Sequence, residues 1–584
     1  MPLVVPLVVI LLPLLILPGV LFYYDVTPKI AVLLLGAAAA TVFVDWRALR
    51  QRKWLAWLLA AEALSLIIST LVSAHPLLSL MGSSWRRLGL IPQLAVLVLA
   101  AAAASRGFTP KQIFRPMAAA GVPIALYGIL QYFGWDPLLP SAAYRVGEGK
   151  WEIVRPPATL GHASYFANWL VFVFFAGLFL ERTEKGIWKV VGGVSAGMAL
   201  LGIVLSGTRG ALVAVACGSL YLLWRRRPPW RRLVAPAAAL AVVLILLIIT
   251  PPGQQVRARL RWASEDVWGG ARLRLWRDSI GMAIHRPAAG FGPEVFTAAF
   301  PAYESKALAR AYPDFHHESP HNLFLDALVS QGIPGLAIWL GLCIYGLWMA
   351  QRGSKQDAFA SAVIGASLVG AIVAQQFTAF VAVTLLYFFL MLVLVETPPT
   401  LPPRRLALPV AIPVAALLVF FGIRLVAADG SLEAVHRAVN QGRIRDAAVL
   451  YPRAASLGMP ADLWYSRSVA QAGARTNNLT DRWAASQQAM LAAQNAVRTS
   501  EDPYDAWYNL AALYASRNDF AHTEASLRQA VKAAPRWYKP HWMLAQILQI
   551  AGRLDEARAE AQTAVDLAGG KHPEVAQTLS RLSH

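Results

Sequence analysis

Charge is scarce in this sequence: only 15% of its 584 residues are charged, against 57% hydrophobic. That scarcity excludes a disordered chain, a collagen-like chain and an ordinary soluble globule, because so many apolar side chains gathered in long blocks cannot be hidden in a core of this size. Cysteine is nearly absent. Cys217 and Cys343 lie in separate apolar stretches, so neither a disulfide scaffold nor a thiolate zinc site is expected. Acidic residues are also few, 33 against 53 lysines and arginines, for a formal charge of +20. No charged stretch precedes the first apolar segment, and Tyr23-Tyr24-Asp25 follows it where a cleaved leader would carry small residues. The segment is therefore read as retained.

What fills the sequence is apolar. Stretches of about 16 to 25 residues, each able to cross roughly 30 Å of hydrocarbon, occupy most of the first 426 positions. Thirteen are expected, near 3–23, 29–45, 54–74, 88–104, 113–134, 160–180, 187–205, 209–224, 232–250, 322–349, 357–375, 380–396 and 406–426. With the N-terminus inside, the inner loops 46–53, 105–115, 181–189, 225–232, 350–357 and 397–405 carry 19 Lys and Arg, and the short outer loops carry 7. The asymmetry orients the chain, placing the long loop 251–321 and everything after 426 outside. It also accounts for part of the positive charge, so nucleic acid is not called for. The block Arg225-Arg226-Arg227-Pro-Pro-Trp-Arg231-Arg232 reads as a topology anchor on anionic lipid.

After Asp429 the composition turns polar and amphipathic, and a period of 34 emerges. Leu510-Ala511 recurs as Leu544-Ala545, Phe520 as Leu554 and Ala530 as Ala564, with Asn518 and Gly552 at the turns between helices. The stretches 503–535 and 538–567 resemble tetratricopeptide repeats, and Gly442, Ile444 and Ala447 suit a degenerate one. The fold expected is all-α: a polytopic membrane domain over 1–426 with about 12–13 transmembrane helices, then an α-solenoid over 427–584. Stacked repeats offer a concave face for a protein partner or acceptor, or form a rigid hood over the membrane part. Trp537, Tyr538 and Trp542 are read as packing residues in preference to a sugar platform. The solenoid is not expected to take part in chemistry, so a chain ending near Leu425 should still act on a small acceptor.

The polar motifs gather on the outer side. They are Gly82-Ser-Ser-Trp-Arg86-Arg87, the loop Arg155-Pro-Pro-Ala-Thr-Leu-Gly-His162, Ser206-Gly-Thr-Arg209-Gly210, Gly270-Ala-Arg272-Leu-Arg274-Leu-Trp276 and His316-His317-Glu318-Ser-Pro-His321-Asn322. Guanidinium groups stay protonated and present a planar fork of donors, so several of them at a membrane surface can hold a pyrophosphate without a metal. Arg209 stands out at the mouth between two apolar stretches, where an unpaired buried charge would be costly; its plainer role is an interface anchor. Gly207 and Gly210 leave room for a head group there or serve helix packing. His316, His317, Glu318 and His321 are close enough to suggest a metal, yet the zinc spacing His-Glu-x-x-His is missing, and no metal or cofactor is expected.

These motifs together resemble the O-antigen ligase and polymerase superfamily, which includes bacterial protein O-oligosaccharyltransferases. The resemblance rests on His321-Asn322, nine residues, Gly332, two residues, Gly335, with further landmarks at 80–89, 155–168, 206–210 and 270–296, the last containing Pro287 and Gly290-Phe-Gly-Pro-Glu294. It implies a bacterial inner-membrane enzyme, multi-pass, with its C-terminal domain in the periplasm. Its reaction would move a glycan from undecaprenyl pyrophosphate to an acceptor hydroxyl: lipid A core for a ligase, a second lipid-linked glycan for a polymerase, or a protein. The resemblance places the catalytic base at His321 and the pyrophosphate on Arg209 with Arg272 or Arg274, the family pattern favouring Arg272. Arg86, Arg87, Arg155, Glu318 and Asn322 are candidate donor or acceptor contacts. Glu318 could meet a sugar hydroxyl or an arginine, and Asn322 could orient His321 or cap the following helix.

The chemistry of the side chains fits that carry-over. A neutral imidazole can take the proton of an attacking hydroxyl, and fixed guanidinium groups can stabilise the charge left on a departing pyrophosphate. Direct displacement would invert the anomeric centre. Two other classes remain to weigh: a transporter, which would need a midplane site and inverted repeats, and a nonenzymatic polysaccharide-assembly scaffold in which His321 is dispensable.

Overall fold

The computed structural model describes residues 3–140, 143–146, 153–229, 270–353, 357–399, 408–458 and 461–583, with isolated positions from 231 to 245. Their regular structure is almost wholly helical; the one ribbon pairs Arg145–Val146 antiparallel with Ile153–Val154. The chain is a polytopic membrane protein. Among the described residues six helices are long and apolar enough to cross a bilayer: Lys53–Leu71, Pro110–Tyr132, Ala163–Thr183, Ile187–Leu205, Leu323–Arg352 and Leu408–Asn440. Shorter apolar helices, Val4–Leu14, Thr27–Thr41, Leu90–Arg106, Ala358–Ala374 and Ala382–Leu394, pack among them. The expected segment 232–250 and the first part of the loop 251–321 lie largely outside the described residues.

One expectation changes. The segment expected over 3–23 is not one helix: it stops at Leu14, and 11 residues reach only about 16 Å. Pro18 has no amide to continue a helix and Gly19 takes a left-handed φ of 70°, so the chain turns back and the Leu17 amide donates to Tyr24 O at 2.9 Å. The expected boundary at 426/427 falls inside the unbroken helix Leu408–Asn440.

The helix Leu323–Arg352 is interrupted at Gly332, where φ is 72° and ψ −164°. The break frees backbone groups that would otherwise bond within the helix. Val329 O and Ser330 O accept from the amides of Phe291 and Gly292 at 2.8 and 2.9 Å, and the Ile333 amide donates to Pro287 O at 2.8 Å. A Cβ on Gly332 would stand 2.5 Å from Pro287 O, so glycine is needed both for its φ and for this close approach. The spacing from His321 to Gly332 thus has a mechanical meaning. It sets the length of helix between the helix start and the docking point of the 287–294 segment.

The C-terminal region is all-α. Asp462–Arg475 packs on Leu479–Thr499, Pro503–Ala515 on Phe520–Ala533, and Tyr538–Ile550 on Leu554–Ala568, with Pro573–Ser583 last. The turns after two of these first helices are alike: Asn518 and Gly552 have φ of 58° and 75°, and the amides of Asp519 and Arg553 donate to Tyr514 O and Leu548 O at 3.1 and 2.9 Å. Leu510, Ala511, Ala530, Leu544, Ala545 and Ala564 are buried as the 34-residue period requires, whereas Phe520 and Leu554 are exposed.

Candidate functional site

The N-terminal ends of four helices, beginning at Ala163, Arg209, Arg272 and Leu323, converge on one cavity of about 1100 Å³. The N-terminal end of a helix carries partial positive charge and favours an anion. Each start delivers a polar side chain to the lining: His162 just before the first, Thr208 and Arg209 at the second, Arg272 at the third and His321 before the fourth. Arg155 joins them from the preceding loop, and Tyr23, Asp25, Ser84, Trp276 and Glu318 lie on the walls.

The guanidinium groups are close enough to repel one another. Burial, then the positive charges of Arg272 and Arg209, lowers the pKa of Arg155 below its ordinary value. Arg155 Nη2 donates to Ser164 Oγ at 3.3 Å, and Arg272 Nη2 to Phe377 O at 3.4 Å, which fixes where each fork sits. Gly210 also lines the cavity, but the space over its Cα is taken by Phe377, whose side chain would lie 3.1 Å from a Cβ there. Gly207 supplies the left-handed residue, φ 64°, that turns the chain before Thr208. Both glycines therefore have packing or turn roles.

His321 is held in an unusual backbone state, with φ of 50°. A non-glycine residue there costs about 1–3 kcal/mol and needs neighbours that impose it. Ser319 does so: its Oγ accepts the His321 amide at 3.3 Å and lies 3.1 Å from Nδ1. Trp276 Nε1 donates to Pro320 O at 3.0 Å, tying the same turn to the helix Arg272–Ala283 that carries Arg272. Ser319 Oγ fits either tautomer of the ring; the one in which Nδ1–H donates to Ser319 Oγ leaves the lone pair on Nε2. Burial, followed by the charges of Arg272, His317, Arg86 and His162, pushes the pKa of His321 down to about 3. The ring is neutral at physiological pH.

His162 had no assigned role in the sequence. Its Nδ1 accepts from the Ser164 amide at 3.1 Å, capping the helix Ala163–Thr183, so the neutral ring carries its proton on Nε2. The ring faces the open cavity, yet desolvation by the protein around it, and then Arg155, holds its pKa near 4. It can donate to a ligand and has no basic nitrogen to spare. A histidine directly before an apolar helix was the signal available for this cap.

The remaining candidates separate. Arg155 and Glu318 line the cavity. Arg274, two residues from Arg272, is exposed and is not among the lining residues. Asn322 caps its helix, its Oδ1 accepting from the amides of Phe324 and Leu325 at 3.0 and 3.1 Å while Nδ2 donates to Gln376 Oε1 at 3.0 Å. Arg87 is buried with its guanidinium 5.0 Å from the Tyr23 ring centroid. His316 packs between Tyr504 and Trp537 and is not among the cavity-lining residues, and among the described residues no group of three or more His, Cys, Asp or Glu side chains is placed to hold a metal.

Arg86 is engaged in a buried ion pair with Glu294, which Ser83 supports through its amide at 3.2 Å and its hydroxyl; Asp326 adds a weaker contact at 3.5 Å. Burial is the largest single influence and opposes the charge on Arg86, but Glu294, Asp326 and Tyr165 together outweigh it and the pKa is raised. Removing one partner would strand the other charge in the protein. Arg86→Ala should therefore destabilise by about 3–5 kcal/mol, whereas the double change Arg86→Met with Glu294→Gln should cost much less. Thermal unfolding in detergent measures both; equal stability of Arg86→Ala and wild type would refute the structural role.

Residues 167–340 match a family model described as O-antigen ligase. The match takes in Arg209, Arg272, Arg274, His321, Asn322 and Gly332, and stops short of Arg155, His162 and the C-terminal helices. No curated protein matches the chain in sequence.

Proposed function

We propose that this protein transfers a glycan from undecaprenyl pyrophosphate to an acceptor hydroxyl at the outer face of the bacterial inner membrane, as an O-antigen ligase-like enzyme. One observation supports the reading: Arg155, Arg209 and Arg272 line a single cavity together with a neutral His321, and most of these residues fall in the matched stretch. In this reading residues 1–426 are the transferase, and 427–584 form a periplasmic domain of tetratricopeptide-like repeats. The positive-inside asymmetry of the loops supports that orientation. The acceptor oxygen attacks the anomeric carbon and gives its proton to His321 Nε2. The bond from that carbon to the pyrophosphate oxygen breaks, the anomeric centre inverts, and the electron pair leaves with the lipid pyrophosphate. Arg209 and Arg272 stabilise the charge that builds on the leaving oxygen, and His162 Nε2–H donates to the same group or to the sugar. His321 then releases its proton to water.

The test is transfer by the purified protein in liposomes containing undecaprenyl-pyrophosphate-linked glycan. Lipid A core, a second lipid-linked glycan and a protein would be offered in turn as acceptor, each with and without chelator. Lipid A core should be glycosylated, and chelator should not slow the reaction because guanidinium groups supply the phosphate's counter-charge. Product only with the second lipid-linked glycan would make the enzyme a polymerase, and product only with the protein a protein O-oligosaccharyltransferase. Loss of activity in chelator, restored by one divalent ion, would remove the metal-independent mechanism.

A further inference from the structure

The loop that ends at His321 is held from two sides. On the membrane side, Asp278 accepts the Ser305 amide at 2.8 Å, Arg277 donates to Ser305 Oγ at 2.8 Å, and Trp276 bonds Pro320 O. On the other side stand helices of the C-terminal region. Arg536 Nη1 donates to Glu304 O at 2.7 Å, Asp566 pairs with both Lys306 and Arg310, and Arg310 Nε also donates to Asp566 O at 2.7 Å. Asp314 accepts from Tyr538 Oη at 3.0 Å and pairs with Lys539 at 3.1 Å and His572 at 2.7 Å. Between these polar contacts His316 sits with its ring centroid 5.0 Å from Tyr504 and 5.4 Å from Trp537. Ala309 is buried in the same apolar cluster as Tyr504, Trp537, Tyr538, Leu567 and Val575. Gly569 lets the chain approach closely: a Cβ there would stand 2.6 Å from Arg310 O.

A second contact reaches the cavity wall directly. Both carboxylate oxygens of Glu501 accept from the Ser84 amide, at 2.7 and 2.9 Å, and Ser84 Oγ donates to the same group at 3.0 Å. Ser84 lines the cavity. Trp537 and Tyr538, expected as repeat-packing residues, are buried against this loop as well as among the C-terminal helices.

We infer that the C-terminal helices are a working part of the site: they order residues 304–321 and so position His321, through Asp566 with Arg310 and Lys306, Asp314 with Tyr538 and Lys539, and Trp537 with His316. This rests on the proposed role of His321 and differs from the expectation that the membrane portion acts alone. A left-handed residue that is not glycine keeps its conformation only while its flanks are fixed. The flank N-terminal to His321 has one wall made by the C-terminal region. Releasing that wall lets His321 relax, and misplacement of a reacting group by about 1 Å can cost about 10²-fold in rate. Asp314, Arg310, Lys306 and Asp566 are positioning residues. They lie outside the cavity lining and touch neither donor nor acceptor there.

The experiment uses the full chain and three forms: wild type, Asp566→Arg, and Asp566→Arg with Arg310→Glu. The single change sets like charges against Lys306 and Arg310, and the second substitution restores an opposite-charge pair. Hydrogen exchange of residues 304–321 and turnover at saturating donor are read together with donor affinity. In Asp566→Arg, exchange in 304–321 should speed up and turnover should fall by about ten- to a hundredfold with little change in donor affinity, and the double variant should recover most of both. Asp314→Ala provides a second release of the same loop from a half-exposed position and should behave likewise. Wild-type exchange and turnover in both variants would overturn the inference, as would faster exchange with unchanged turnover. Absence of transfer by the wild type would instead remove the proposed function, and exchange would still decide whether the C-terminal region orders the loop.

Discussion

His321→Ala should lower turnover by about 10²–10⁴-fold, the usual contribution of a positioned base, while leaving the fold and the binding of lipid-linked glycan largely intact. The fold should survive because the polar contacts of the imidazole are local, to Ser319, and the turn is also held by Trp276. Binding should survive because, in the proposed mechanism, the arginines and not His321 hold the donor's phosphates. The pH profile gives a second signature. A neutral ring whose pKa is held near 3 stays basic as pH falls, and loses its lone pair only as pH passes through that value. The acid limb of kcat/KM, which reports free enzyme, should therefore lie far below the ordinary histidine range near 6.5 wherever the protein remains folded. Bound pyrophosphate brings negative charge to Arg272, the second cause of the depression after burial. It should raise the His321 pKa, so the acid limb of kcat should lie at higher pH than that of kcat/KM. Near-normal turnover in His321→Ala removes the base assignment; an acid limb of kcat/KM at ordinary histidine pH removes the electrostatic account of it.

The parts of this architecture written in local periodicity were legible in the sequence. Apolar runs marked the helices, the 34-residue spacing marked the two equivalent turns at Asn518 and Gly552, and Asn322 marked a helix start, whereas the break at Gly332 inside the stretch expected over 322–349 was not read. What could not be read was pairing between distant segments. Arg86 looked like a ligand contact because its carboxylate, Glu294, is 208 residues away; nothing near Arg86 in sequence announces an ion pair. His162 and His321 likewise line one cavity only because two helices distant in sequence both begin at it. The first segment was misread because apolar composition carried more weight than Pro18-Gly19, although a missing amide and a left-handed glycine end a helix whatever surrounds them. The hold of the C-terminal helices on the 304–318 segment had no local signature at all. Asp314, Arg310 and Lys306 meet Tyr538, Asp566 and His572 across more than 220 residues of sequence.

Arg209 and Arg272 should prove far more sensitive than Arg274, and the contrast tests whether the cavity is the phosphate site. All three carry the same charge, so a general electrostatic attraction to anionic lipid or donor would be weakened similarly by each loss. Arg209 and Arg272 line the cavity, whereas Arg274, two residues further along the same helix as Arg272, is exposed and not among the lining residues. Alanine at Arg209 or Arg272 should cost about 10²–10³-fold in turnover, the range found when a preorganised donor to a developing oxyanion is removed. Arg274→Ala should remain close to wild type. Arg209→Lys keeps the charge but replaces a planar two-pronged donor by a point charge, so it should fall between wild type and Arg209→Ala. If these groups act on the leaving pyrophosphate as its charge develops, turnover at saturating donor should drop more than donor affinity, because only interactions that strengthen on the way to the transition state accelerate the chemical step. A large loss of donor affinity with unchanged saturated turnover would leave Arg209 and Arg272 as ground-state binding residues. Equal activity of wild type, Arg209→Lys and Arg209→Ala in detergent and in bilayers would reduce Arg209 to a lipid anchor, and a defect in Arg274→Ala matching that of Arg272→Ala would move the phosphate site out of the cavity.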